Sequence, residues 1–144
     1  KNTKVKEKVK KLNDEVVKLN KDYSKLKNKY LEKVVKELKD ENFIKDDLKM
    51  VFKKIENKSI KELRNMVSIG TKEKEYIMAL ISKKDEKINF VCGKSEDVNK
   101  DIRKYFNLTL ELINGNGGGN NYLLQGSGKT IKNLDKIKKE FKKL

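Results

Sequence analysis

The 144-residue chain contains no histidine, no proline and no tryptophan, and only one cysteine. Without histidine, the usual zinc sites, Ser-His and Cys-His nucleophilic pairs and the commonest general base are excluded. The lone Cys92 cannot form an internal disulfide, fits a reducing compartment, and in the apolar run INFVCG reads as a buried strand residue rather than a nucleophile. No apolar run approaches a membrane span and nothing at the start resembles a signal peptide, so a cytoplasmic protein with no membrane partner is expected. The first residue is Lys1 rather than methionine, which predicts a piece of a longer protein. Its length suits one domain of modest core with an appended helix.

Arginine is also scarce. Of 37 basic residues only Arg64 and Arg103 are arginine, and against 22 acidic residues they leave a net charge of +15. Such basicity favours an anionic partner, nucleic acid being the commonest. The abundance of Lys, Asn and Ile is also what an A/T-rich genome produces, so the charge supports this reading without deciding it. Carboxylates are scattered among lysines and no motif singles out a pair. The residues therefore assign no catalytic group, no metal ligand and no cofactor.

What is present begins with a heptad. Val9, Val16, Tyr23 and Tyr30 fall at one seam position and Val5, Leu12, Leu19 and Leu26 at the other, spaced alternately by three and four. The pattern predicts one long helix over residues 1–41 with a narrow apolar stripe. That stripe needs a partner, either a second copy of the chain or another part of the same chain. Beyond it, residues 49–55 read as a strand. SIKELRNMVSIG reads as a helix with a Ser59–Glu62 capping box and Gly70 as its stop. Residues 75–82 and 87–93 read as two strands joined by the turn KKDE. Ser95 is a candidate cap for a helix carrying Val98, Ile102, Phe106, Leu110 and Ile113, which Gly115 would end. A short edge strand at YLLQG and a last helix presenting Ile131, Leu134, Ile137, Phe141 and Leu144 complete the order. The expected class is α+β, a long coiled-coil-like helix followed, over residues 42–144, by a small mixed or antiparallel sheet packed with helices.

The most unusual stretch is GNGGGNNYLLQGSGKT, residues 115–130. Its end, GSGKT, imitates a phosphate-binding loop, but Leu123 stands where the first glycine of that motif belongs. The dinucleotide fingerprint fails as well, because its sixth position is Asn120. Consecutive glycines nevertheless allow backbone N–H groups to converge on an anion, and Lys129, placed at the start of the last helix, adds charge there. The competing reading is that the glycines let two backbones pass closely. Tyr122, Tyr105 and Phe106 are stacking candidates for an unpaired base; Phe106 lies on an apolar helix face and reads as core, and Tyr122, in the loop, is the better candidate. Lys129, Lys132, Lys136 and Lys139 form either a basic surface or an ordinary solvated helix face.

A strand pair, a helix, G-x-G-G-G, five residues, Q-G-x-G and a final helix resemble the DHH-associated domain at the C-terminus of alanyl-tRNA synthetases and long-form alanyl-tRNA editing proteins. The resemblance spans about residues 45–144 and is carried by Gly115, Gly117, Gly118, Gly119, Gln125, Gly126 and Gly128. It implies a non-catalytic accessory domain that binds tRNA, tRNA(Ala) in particular, and holds two protomers together through the preceding helix. Zinc and the chemistry would then belong to an upstream domain. NNYLL, residues 120–124, replaces the Arg-Pro-Asp-Met-Ala usual in synthetases and tilts the reading toward an editing protein. Other readings left open are the substrate domain of a DHH-type phosphoesterase, whose Gly-Gly-His motif is absent here, and a purely structural oligomerisation module. Nucleic-acid contact is accordingly expected at Gly117, Gly118, Gly119, Asn120, Asn121, Tyr122, Gln125, Gly126, Gly128, Lys129 and Lys132, and a homodimer seam at Val5, Val9, Leu12, Val16, Leu19, Tyr23, Leu26 and Tyr30.

Overall fold

The structure is a computed structural model that describes residues 2–144. The long helix forms as the heptad predicts: α1 (Asn2–Lys39) is unbroken, and the Asn42 side-chain amide donates to the Lys39 carbonyl at its end. Two strands follow, the short β1 (Phe43–Lys45) and the longer β2 (Leu48–Glu56). Asp46 and Asp47 between them both take left-handed backbone angles, which closes a two-residue hairpin that the sequence reading did not include. Next come α2 (Ile60–Gly70), β3 (Tyr76–Lys84) and β4 (Lys87–Lys94). Asp85 and Glu86 make the equivalent turn between β3 and β4. The remainder is α3 (Arg103–Leu112), β5 (Asn116–Gly119), β6 (Leu123–Gly128) and α4 (Leu134–Lys142).

The strands form one mixed sheet in the order β1-β2-β3-β4-β6-β5, parallel only between β2 and β3, where α2 is the crossover. Helices cover both faces. Leu63, Met66 and Val67 of α2 pack with Leu31, Val35 and Leu38 of α1 onto Val51, Met78, Leu80 and Val91. On the opposite face Phe106 and Leu110 of α3 and Ile137 and Phe141 of α4 pack onto Ile77, Ala79, Phe90 and Leu124. Cys92 and Phe106 are fully buried, as their apolar contexts imply. The α+β class is the one expected from the sequence.

Several local expectations are corrected. Ser95 does not cap α3, which starts eight residues later after Ile102. Its hydroxyl instead accepts from the Tyr76 N–H and donates to the Glu73 carbonyl, tying β4 to the loop before β3. Val98 and Ile102 are buried but precede the helix. Asn114, not Gly115, turns left-handed after α3, with φ 53°, while the Gly115 N–H closes on the Leu110 carbonyl at 2.8 Å. Gly70 is the last residue of α2 rather than the residue beyond it. The capping box forms as read: the Glu62 N–H donates to the Ser59 hydroxyl at 3.2 Å. No helix among the described residues is long and apolar enough to cross a membrane.

Candidate nucleic-acid interface

The stretch expected to be a glycine loop with one short edge strand is a β-hairpin. β5 is the sheet edge and β6 lies between it and β4, with Gly118 opposite Gln125 and Gly117 opposite Gly126. The glycines therefore run extended instead of curling into a ring of convergent N–H groups, so the anion cradle expected from the sequence does not form. What the hairpin offers is an edge strand, whose outward N–H and C=O groups have no sheet partner.

Strand alternation divides the glycines by face. Gly126 and Gly128 point under α3: a methyl group on Gly126 would stand 2.5 Å from Leu110 Cδ2, and one on Gly128 would stand 2.8 Å from Ile113 Cβ. These two positions are glycine because α3 sits directly on the strand. Gly118 points the other way, beside Gln125, and a methyl group there would meet nothing within 4 Å. The close-passage reading of the glycines thus holds at Gly126 and Gly128, whereas Gly118 stands in open space. α2 reaches β6 but stops short of β5, leaving a shallow depression lined by Ile60, Asn116, Gly118, Gln125 and Ser127.

The chain's two arginines both meet this hairpin. Arg64, on the exposed face of α2, approaches Gln125 Oε1 with Nη1 at 3.5 Å, and Arg103 Nη2 donates to the Gly119 carbonyl at 3.0 Å. Neither was singled out by sequence reasoning as a contact residue. Their rarity among 37 basic residues was the available signal, since a planar guanidinium serves bidentate and phosphate contacts better than an ammonium. The adjacent N-terminus of α2 is not free for an anion, because the Glu62 carboxylate already sits there, within 3.7 Å of both Lys27 and Lys58.

Asn120 fixes the hairpin tip. Its side-chain oxygen accepts from the N–H groups of Tyr122 and Leu123 at 2.8 and 2.9 Å. Asn121 and Tyr122 are exposed there. Tyr105 is unavailable for stacking: it is buried, with its hydroxyl donating to the Ile137 carbonyl at 3.2 Å. Lys129 is not at a helix start as expected. It follows β6, its N–H donates to the Ile113 carbonyl, and α4 begins five residues later. Lys129 and Lys132 are exposed, but six strand residues put them about 20 Å from Tyr122, at the other end of the hairpin. Among the described residues no group of three or more His, Cys, Asp or Glu side chains is placed to hold a metal ion.

Residues 47–144 match the family model of the DHHA1 domain. The chain belongs to the DHHA1 domain family. Alanine–tRNA ligase of Orientia tsutsugamushi strain Boryong is 38% identical over 105 residues, covering 67% of this chain and 12% of that protein. The corresponding ligase of strain Ikeda is 37% identical over 93 residues, covering 61% of this chain and 10% of that protein. The chain therefore spans about an eighth or less of these curated relatives. The crystal structure of the C-Ala domain from Aquifex aeolicus alanyl-tRNA synthetase superposes with a TM-score of 0.65 at 26% identity, over 71% of this chain and 95% of that one. The DHHA1 chain is thus similar to the C-terminal domain of alanyl-tRNA synthetases in sequence and fold.

The long helix ends in two different environments. Leu31, Val35 and Leu38 are buried against the DHHA1 domain, whereas the whole seam from Val5 to Tyr30 is more than half exposed at every position. Apart from the Lys58 ammonium 5.3 Å from the Tyr30 ring centroid, no other described segment meets it, so the alternative of an intramolecular helical hairpin is not realised within the described residues.

Proposed function

We propose that the chain is the C-terminal accessory domain of an alanyl-tRNA synthetase, where it contributes tRNA binding and self-association while other parts of the parent carry the chemistry. The relatives named above are ligases, which favours a ligase parent over an editing protein. The segment that favoured the editing protein begins at Asn120 and lies largely in an exposed hairpin tip, where sequence varies without affecting the fold.

The observation that carries the tRNA reading is the bare strip at Gly118, with Arg64 on the exposed face of α2 reaching the neighbouring Gln125. A polynucleotide backbone can approach the edge strand there without meeting a side chain at Gly118 itself, with the Arg64 guanidinium nearby to receive a phosphate. Titration with tRNA(Ala), an unrelated tRNA and duplex DNA at low and near-physiological salt tests it. tRNA should retain the advantage at the higher salt, and Gly118→Val should weaken it about tenfold or more while leaving the melting temperature unchanged. Equal binding to all three, erased by salt, would reduce the +15 charge to a generic attraction.

The bare seam of α1 supports a second role, homodimerisation. Each apolar seam residue is exposed by 52% or more, a state a second helix would relieve. Light scattering should find a dimer that becomes monomeric in a Leu12→Lys, Leu19→Lys variant. A variant that stays dimeric would remove the seam from the interface and leave self-association, if any, to another surface.

A further inference from the structure

A cleft of about 730 Å³ lies away from the glycine strip, between the C-terminal end of α2 and the hairpin tip. Lys72 and Lys74 line one side, Lys94, Glu96 and Asp97 another, and Tyr122 closes it. Tyr122 is held in advance at this position. Asn120 accepts its N–H at 2.8 Å, the Lys94 N–H donates to its carbonyl at 3.0 Å, and Arg103 ties down Gly119 two residues before Asn121. Lys94 is 9% exposed, its Nζ donates to the Lys100 carbonyl at 2.6 Å, and the same ammonium stands 5.5 Å from the Tyr122 ring centroid. Tyr122 as a whole remains 46% exposed. A cation fixed over one face of an aromatic ring withdraws electron density from it, which favours an electron-rich π-system on the other face.

We propose that this cleft receives a single unstacked purine nucleotide of an RNA loop, guanosine in preference, with the base stacked on Tyr122 and the flanking phosphates met by Lys72 and Lys74. The inference rests on the RNA-binding reading above and names the group recognised. The carboxylates select the base. A bare phosphate would be repelled by Glu96 and Asp97, whereas a guanine offers them N1–H and N2–H donors. Asp97 already accepts the Glu75 N–H at 3.3 Å on one of its two oxygens, so the exposed Glu96 is the less committed acceptor for the base edge. A rigid aromatic platform, cations for the backbone and an acceptor for the base edge are the components by which proteins read unpaired RNA.

The test uses short RNA hairpins carrying guanosine or adenosine at one loop position, a blunt RNA duplex, and duplex DNA as competitor, titrated with the chain and its variants. The wild type should bind the guanosine hairpin most tightly, and Tyr122→Ala should weaken it roughly 5- to 100-fold with little effect on the duplex. Tyr122→Phe should restore binding, since the ring and not the hydroxyl is used. Glu96→Gln should narrow the preference for guanosine over adenosine several-fold. Both sites are exposed, so thermal unfolding should be unchanged in either variant. If Tyr122→Ala binds every hairpin as tightly as the wild type while Gly118→Val does not, the cleft is overturned and the RNA-binding reading stands. If no hairpin outcompetes duplex DNA at near-physiological salt, both are overturned.

Discussion

At Gly128 and Gly118 the same residue type does opposite things. Gly128 is glycine because the Ile113 backbone and side chain press onto it, and Gly118 is glycine in open space. Gly128→Ala should therefore cost about 1–3 kcal/mol by overpacking, whereas Gly118→Ala should stay within about 0.5 kcal/mol of the wild type in urea unfolding. Cys92 provides a second residue-scale expectation. Burial raises its thiol pKa from 9.0 to about 12. The unfolded chain thus loses this proton first, and as pH rises from about 9 toward 12 the folded state, still protonated, loses stability relative to it. Burial shifts Tyr105 upward too, so both groups work in the same direction. Unfolding titrations above pH 9 should show this decline, and the thiol should resist alkylating reagents at pH 8 until the chain is unfolded. The burial of Cys92 and Phe106 was legible in their apolar neighbours. The fate of Ser95 was not, because its partners, the Tyr76 N–H and the Glu73 carbonyl, are about twenty residues away in sequence.

Helix α1 carries two kinds of apolar residue along one element. Leu31 is 1% exposed and Leu19 is 67% exposed, although both are leucines in a lysine-rich helix. Leu31→Ala should destabilise the domain by about 2–5 kcal/mol, and Leu19→Ala should change the unfolding of dilute, monomeric chain by less than about 0.5 kcal/mol. Circular dichroism on the two variants at low concentration separates the cases. Heptad spacing made the helix legible because periodicity survives in the sequence even where no partner is present. β5 was illegible for the converse reason: NGGG has almost no side chains to alternate, so its strand character comes only from pairing with β6. β1 was missed because Asp46 and Asp47 replace the usual Asn-Gly of a two-residue turn, a substitution that the sheet pairing stabilises.

For the whole molecule, the charge is spread unevenly around the fold. Residues 1–41 carry 14 basic and 8 acidic groups, and residues 129–144 carry 7 and 2. Lys129 and Lys132 lie at the opposite end of the hairpin from Tyr122, so one bound polyanion can reach both only by spanning the length of β6. A binding mode confined to three or so phosphates should lose about 10- to 100-fold in affinity between 50 and 200 mM salt, and one that also engages Lys129 and Lys132 should lose more. The salt slope of tRNA binding, compared between the wild type and a Lys129→Ala, Lys132→Ala variant, distinguishes the two. An unchanged slope in the variant would confine the footprint to the α2 side of the hairpin.

Periodicity and turn chemistry are local properties, and they were enough to place α1, the Ser59 cap, the β3–β4 hairpin and the α+β class. The two glycine clusters also carried the resemblance to the family. Tertiary structure decided what those glycines do, because their meaning depends on which face of a strand each occupies and on whether a helix covers that face. It likewise brought Arg64, 61 residues from Gln125, and Lys72, Lys74 and Lys94 to the borders of the hairpin. No spacing rule links residues so far apart along the chain. Their meeting follows from the insertion of β6 between β4 and β5, a choice made by pairing and packing across the whole sheet.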